Sequence, residues 1–220
     1  MGWKLYATFV SPTHEVNFDD LLGRLELPPL TPIEDEPFEV ALYPDEGQIY
    51  IGEHNNCLII TNYELTDACM TSEFSPLEEV LMAEFPDAEI CTLVLHSVVN
   101  YFGYAVIKNG EKIRVRAGDS EYGVGIDEGS PLEEELPFLH SPRFKDDNSR
   151  RISRDGNNTY VDWDGEGIVF AIAGRYFGEP MDRNDALLFE TNLKGFSYPV
   201  ADPIKTAAAN TASKPWWKFW

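Results

Sequence analysis

The chain has 220 residues, of which 43% are hydrophobic and 13% are aromatic. That content can build a hydrophobic core, which excludes disorder along the whole chain. The net charge of −21 opposes nucleic-acid binding, since phosphate contacts dominate that binding. The same charge favours solubility and also suits a basic protein partner. No apolar run approaches the roughly 20 residues of a membrane-spanning helix, so we expect no transmembrane segment.

The three cysteines, Cys57, Cys69 and Cys91, are odd in number and widely spaced. This pattern argues against a disulfide framework and against a structural zinc site. Their apolar surroundings predict buried, reduced thiols, which are typical of a cytoplasmic protein. We therefore predict a cytoplasmic location, with no metal and no cofactor.

Four short strands are predicted in the N-terminal part from runs of aromatic and β-branched residues. They are residues 3–10, 38–43, 48–51 and 57–60. The second and third runs flank the turn sequence Pro44-Asp45-Glu46-Gly47, which predicts a hairpin. Asn17 is placed to cap a short helix between the first two strands.

The clearest helix signal is Ser75-Pro76-Leu77-Glu78, a capping box with proline in the first helical position. The same signal recurs at Ser130-Pro131-Leu132-Glu133. We expect a second, shorter helix there, which ends before Pro137.

The strongest strand region precedes the dipeptide Asn109-Gly110, which is typical of a type I′ hairpin turn. Apolar runs over 90–99 and 101–107 predict two strands before this turn. The returning strand, 112–116, alternates charged and apolar residues. We expect one of its faces to be buried and the other to be wet.

Residues 140–158 are polar and predict a mobile loop. Its basic residues could pair with the protein's own acidic face or close over an anionic ligand: Arg143, Lys145, Arg150, Arg151 and Arg154. A strand over 159–163 and a helix over 167–176 follow, and Gly178 suits the end of that helix.

Hairpins dominate this pattern, so we predict an α+β fold with a mostly antiparallel sheet and packed helices. Residues 1–200 are predicted to form a single domain. Residues 201–213 are rich in alanine and small polar residues and predict a flexible linker. Residues 214–220 predict an aromatic docking motif.

The tail motif supplies our candidate binding residues, Trp216, Trp217, Phe219 and Trp220. Large aromatic rings favour a packed environment and are enriched at binding hot spots. A flexible tether also raises their effective concentration at a target. Three interpretations stay open: docking to a partner protein, docking onto the chain's own body, and weak contact with a membrane surface.

Five residues in the strand region are candidates for a catalytic site: His96, Tyr101, Tyr104, Asp119 and Asp127. A histidine- or carboxylate-based hydrolase near His96 and Asp127 is the enzymatic alternative. His96 is followed by Ser97, but neighbours on a strand point to opposite faces. The chain also lacks the Gly-x-Ser-x-Gly motif of a nucleophile elbow.

The block from His96 to Val106 resembles an uncharacterised bacterial domain-of-unknown-function family. The block Gly123–Leu132 and the start Met1-Gly2-Trp3-Lys4 are similar to the same family, as are Gly178-Glu179-Pro180 and Gly195-Phe196. The resemblance covers most of residues 1–198 and leaves out the tail. It implies a bacterial cytosolic protein of one domain and carries no activity.

The interpretation that best fits these features is a non-enzymatic bacterial cytosolic interaction protein, in an accessory or immunity-type role. Its acidic body would receive a basic partner, and its tail would dock through the tryptophans. The two alternatives are the hydrolase near His96 and Asp127, and a peripheral protein that contacts a membrane through the tail.

Overall fold

The computed structural model describes residues 2–119, 122–139 and 165–200. Nine strands form one sheet: β1 (Lys4–Ser11), β2 (Thr31–Pro37), β3 (Gln48–His54), β4 (Cys57–Thr61), β5 (Glu89–His96), β6 (Tyr101–Lys108), β7 (Glu111–Asp119), β8 (Gly123–Gly129) and β9 (Asn192–Ser197). Their order is β2-β9-β3-β4-β1-β5-β6-β7-β8, and every neighbouring pair is antiparallel. The predicted α+β class and antiparallel sheet are confirmed.

The described helices are α1 (Phe18–Gly23), α2 (Phe38–Ala41), α3 (Tyr63–Ala68), α4 (Pro76–Glu84), α5 (Leu136–Leu139) and α6 (Gly165–Phe177). Short 3-10 turns span Ser97–Val99 and Met181–Arg183, and a π-helical turn spans Ala186–Glu190. None of the described helices is long and apolar enough to cross a membrane.

Apolar side chains of the central strands alternate between two cores, one on each face of the sheet. On one face, Phe9 and Leu93 pack with Ile168 of α6, and we call this the α6 face. On the other, Val10 and Val94 pack with Leu81 of α4, and we call this the α4 face. Burial on both faces explains why β1, β4 and β5 read as continuous apolar runs.

The starts of two helices and one hairpin turn agree with the predictions made from local sequence signals. The Asn17 side chain accepts hydrogen bonds from the N–H groups of Asp19 and Asp20 at the start of α1. Ser75 and Glu78 form the predicted capping box of α4. Asn109 and Gly110 have φ values of 53° and 75°, as a type I′ turn requires.

The predicted strand over 38–43 is wrong, because residues 38–41 form α2 instead. Phe38, Ala41 and Leu42 follow a helical spacing, and all three are buried on the α6 face. An extended segment would have turned Ala41 away from Phe38. Only the second half of the predicted hairpin, β3, is a strand.

Two further expectations near β7 are also wrong. No helix begins at Ser130, since the described helix α5 starts only at Leu136. The wet face expected for β7 is absent too, because Arg114 and Arg116 are only 2% and 5% exposed. The same ion pairs explain both departures, as shown below.

The cysteines Cys57, Cys69 and Cys91 are free and buried, as the sequence predicts. Burial raises the pKa of Cys57 and Cys69 to about 12, so their thiols stay protonated at neutral pH. The predictions for the 140–158 loop, the 159–163 strand, the 201–213 linker and the 214–220 motif lie outside the described residues.

Candidate functional site

The structure places the five candidate catalytic residues on two different faces. Tyr104 and Asp127 lie on the α6 face, where each is close to Arg116. Tyr101 packs on the α4 face, and the strand alternation puts His96 and Asp119 on that face as well. His96 and Asp127 are therefore separated by the sheet and do not share a site.

Tyrosines from distant parts of the chain meet on the α4 face, at the end of the sheet where β1 begins. The Tyr6 ring lies 4.7 Å from the Tyr63 ring and 5.9 Å from the Tyr43 ring. The Tyr101 hydroxyl donates a hydrogen bond of 3.1 Å to the carboxylate of Asp67. We call these five residues the tyrosine end.

Three of the four tyrosines in this group are held in their neutral form. Burial is the largest cause that raises the pKa of Tyr6, Tyr63 and Tyr101, and the charge of Asp67 adds to it. A neutral phenol with a raised pKa is neither a base nor a nucleophile at physiological pH. The tyrosine end is thus suited to binding rather than to acid–base chemistry.

More acidic side chains surround the tyrosine end. The Tyr198 hydroxyl donates to Glu64 at 3.0 Å and accepts from the Asn62 amide at 2.8 Å. Burial, opposed by Asn62 and reinforced by Glu64, raises the pKa of Tyr198 to about 12. Glu46 acts on both Tyr63 and Tyr198, so a negative field covers this region.

A cation already occupies part of this surface. The ammonium of Lys4 lies 4.2 Å from the centre of the Tyr43 ring and donates to the Tyr43 hydroxyl at 3.0 Å. The Tyr43 residue is 41% exposed. A protonated amine over a tyrosine ring is the geometry of a cation–π contact.

His96 lies beside Lys4 on the neighbouring strand, and its ring nitrogen Nδ1 is buried. No described residue forms a hydrogen bond with that nitrogen. The loop that follows is apolar and open, since Val98 and Val99 are 67% and 50% exposed. His96 therefore contributes a neutral, under-satisfied ring to the rim of the tyrosine end.

We expect the His96 ring to titrate below its ordinary value of 6.5. Burial is the main cause that lowers the pKa, and the positive charge of Lys4 lowers it further. The folded state then takes up this proton later than the unfolded chain as the pH falls, so stability is lost below pH 6.5. An NMR titration of the ring protons measures the midpoint.

The Lys4→Gln variant tests the cause of that shift. Its His96 midpoint should lie above that of the wild type, because one nearby positive charge is gone. Lys108→Gln, which removes an equal charge beside Glu89, serves as the control. A wild-type midpoint at or above 6.5 would contradict the assignment.

The α6 face holds a second cluster, made of Tyr104, Arg114, Arg116, Asp127 and Glu135, which we call the arginine cluster. The Nε and Nη2 atoms of Arg114 each donate to one oxygen of Glu135 at 2.8 Å. Nη1 lies 2.7 Å from Asp127 and also donates to the carbonyl of Gly129 at 3.1 Å. Each nitrogen atom of the Arg114 guanidinium therefore has a partner.

Glu135 is held by more than the guanidinium. Its carboxylate also accepts from the backbone N–H of Leu132 at 2.9 Å, and its side chain is 0% exposed. Burial alone would raise the pKa of Glu135, but the bonds from Arg114 and Leu132 outweigh it and lower the pKa. This buried ion pair turns residues 132–135 inward, which explains why the capping-box signal at Ser130 starts no helix.

The sequence alone missed both clusters as units. Tyr6, Tyr63 and Tyr101 come from β1, α3 and β6, Tyr43 comes from the segment between α2 and β3, and no local pattern links them. For the arginine cluster the available signal was the pair Arg114 and Arg116, which share one face of a strand beside acidic segments. We find no group of three or more metal-binding side chains within the described ranges.

The fold and these clusters define an α+β protein built on one antiparallel sheet, with helices on both faces. Residues 19–152 match the model of a family of unknown function, DUF6928, and the chain belongs to that family. The match includes both blocks that carried the resemblance, His96–Val106 and Gly123–Leu132. The comparison with curated proteins gave no match, and neither did the comparison with solved structures.

Proposed function

We propose that this protein is a non-enzymatic interaction protein of the bacterial cytoplasm, in an accessory or immunity-type role. Its body, a single domain over 1–200, receives a basic segment of a partner protein. Its C-terminal tail adds a second contact through Trp216, Trp217, Phe219 and Trp220. The contact between Lys4 and Tyr43 carries the proposal, because it displays the chemistry by which a partner's lysine or arginine would bind.

The charge around the tyrosine end supports a basic occupant. Glu46 and Glu64 form no ion pair with any lysine or arginine in the described part of the chain, and both lie close to tyrosine hydroxyls. A partner's cation would find a carboxylate and an aromatic ring side by side. Such complementarity favours fast and specific association.

The path of the chain supports joint use of the body and the tail. A Cβ placed on Gly47 would come within 2.6 Å of a methyl group of Val200, so the last described residue lies beside Glu46. Residues 201–220 follow directly from this point. A partner bound at the tyrosine end would therefore lie beside the point at which residues 201–220 begin.

Affinity capture from the native host tests the proposal with four baits. They are the full chain, residues 1–200, the double variant Glu46→Gln/Glu64→Gln, and the control Glu111→Gln/Glu190→Gln with the same change of charge elsewhere. We expect a basic partner whose affinity, remeasured with the purified protein, falls about tenfold in the Glu46/Glu64 variant. It should also fall when the tail is removed or the salt is raised.

Two results would overturn the proposal. Equal binding by the Glu46/Glu64 variant and its control would remove the tyrosine end from recognition. Equal binding by the full chain and residues 1–200 would exclude the tail from recognition.

The hydrolase alternative gains no support from the geometry, since His96 and Asp127 lie on opposite faces. Membrane contact through the tail stays a prediction from sequence.

A further inference from the structure

The arginine cluster contains buried hydrogen-bond donors that lack acceptors. The Arg116 side chain is 7% exposed, and within the described residues its Nε and Nη1 atoms make no hydrogen bond. The hydroxyl of Tyr104, a fully buried residue, also makes no hydrogen bond of normal length and angle there. Glu135 and Arg116 are close enough to influence the pKa of Tyr104, but neither meets hydrogen-bond geometry.

These unused donors lie side by side. Tyr104 and Arg116 are directly opposite each other on β6 and β7, with their side chains on the α6 face. Opposed positions in an antiparallel pair hold their side chains in contact range. Buried donors without acceptors cost free energy, so an acceptor that reached both groups would bind favourably.

The charges in the cluster are unevenly shared. Arg114 takes both oxygens of Glu135 at 2.8 Å and approaches Asp127 to 2.7 Å. Arg116 lies 3.4 Å from Asp127 and 3.8 Å from Glu135. The two carboxylates are thus primarily the counter-ions of Arg114, and Arg116 is the under-paired cation.

We propose that Arg116 and Tyr104 bind the carboxylate of a small organic acid. A carboxylate accepts from guanidinium N–H groups and from a phenol, and its single charge matches the one under-paired cation. Asp127, with a side chain that is 50% exposed, is the group that an incoming carboxylate displaces. A phosphate dianion fits less well beside Glu135 and Asp127, because like charges repel.

The surroundings of Arg116 strengthen the site for an anion. Its guanidinium carbon lies 5.8 Å from the centre of the Phe102 ring, which shields one side of the group from water. A Cβ placed on Gly165 would come within 2.4 Å of the same ring, so the first described turn of α6 packs directly on Phe102. Arg116 therefore lies beside a ring that α6 also covers.

NMR of the arginine Nε–H groups of the full chain tests this site. The probes are acetate and succinate, titrated against chloride at constant ionic strength. We expect a saturable shift of the Arg116 resonance, about fivefold weaker binding in Tyr104→Phe, and tighter binding in Asp127→Asn. Arg183, with a side chain 75% exposed, is the internal control and should not show saturation.

Three outcomes would overturn the proposal. The first is an Arg116 resonance that behaves like that of Arg183. The second is unchanged affinity in both Tyr104→Phe and Asp127→Asn, two variants that keep both arginines. The third is saturable binding of inorganic phosphate without binding of either carboxylate. The site lies across the sheet from the tyrosine end, so its failure would leave the partner-binding proposal untouched.

Discussion

Replacing Glu135 by glutamine will lower the free energy of unfolding by about 3–5 kcal/mol, because it leaves the buried guanidinium of Arg114 without its main counter-ion. Both oxygens of Glu135 accept from Arg114 at 2.8 Å, and neither side chain is more than 2% exposed. Glutamine keeps the shape but can offer only one acceptor oxygen. Urea unfolding at pH 7 of the wild type and the variant measures the difference.

The neighbouring carboxylate provides the control. Glu134 pairs with Arg175 at 3.1 Å, but their side chains are 22% and 25% exposed. Glu134→Gln should cost less than about 1 kcal/mol, as partly exposed pairs do. The double variant Arg114→Met/Glu135→Leu should recover much of the loss, since it removes both buried charges. Equal effects of Glu134→Gln and Glu135→Gln would show that burial does not set the strength of this pair.

Elements with strong local signals could be predicted from the sequence. Asn17 and Ser75 start helices because their side chains satisfy free N–H groups within three residues. Asn109-Gly110 turns the chain because both residues adopt positive φ. Gly178, at a φ of 82°, follows the end of α6 as expected. Each of these interactions is complete within a few residues.

Elements that depend on distant partners could not be predicted. Residues 38–41 are helical because Phe38 and Ala41 reach the core of the α6 face, which other segments build. The sequence from Ser130 to Glu133 satisfies the capping-box pattern. The chain there forms a turn instead of a helix, because Glu135 pairs with Arg114, which lies 21 positions earlier in the chain. In both cases, tertiary contacts outweigh local propensity.

The two clusters needed the sheet topology before they could be seen. The alternation of residue types over 112–116 showed that Arg114 and Arg116 share one face of the strand. It did not show whether that face is buried or exposed to solvent, because charged residues alternate with apolar ones in both cases. Acidic residues from β8 and the following turn decide the matter, because Asp127 and Glu135 pair closely with Arg114 and lie 3.4 Å and 3.8 Å from Arg116. Tyr101 and His96 were named as candidates, while Tyr6, Tyr43 and Asp67 join them only in the folded chain.

Replacing Lys112 by methionine will also lower the free energy of unfolding by about 3–5 kcal/mol, because it leaves the buried carboxylate of Glu78 without its ion-pair partner. The Lys112 ammonium lies 2.9 Å from Glu78 and donates to the carbonyls of Cys69, Thr71 and Glu73. The two side chains are 5% and 1% exposed. Urea unfolding at pH 7 measures the loss, and Lys108→Met, whose lysine is 53% exposed in its pair with Glu89, should cost less than about 1 kcal/mol.

The pH dependence of stability in the Lys112→Met variant tests whether the unpaired carboxylate of Glu78 causes the loss. Burial already raises the pKa of Glu78, against the opposing effects of the Ser75 N–H and of Lys112. Removal of Lys112 raises the pKa further, so the folded variant holds a proton on Glu78 more readily than the unfolded chain does. The variant's deficit relative to the wild type should therefore shrink as the pH is lowered. A deficit that stays constant with pH would instead assign the loss to the three carbonyl groups that Lys112 had bound.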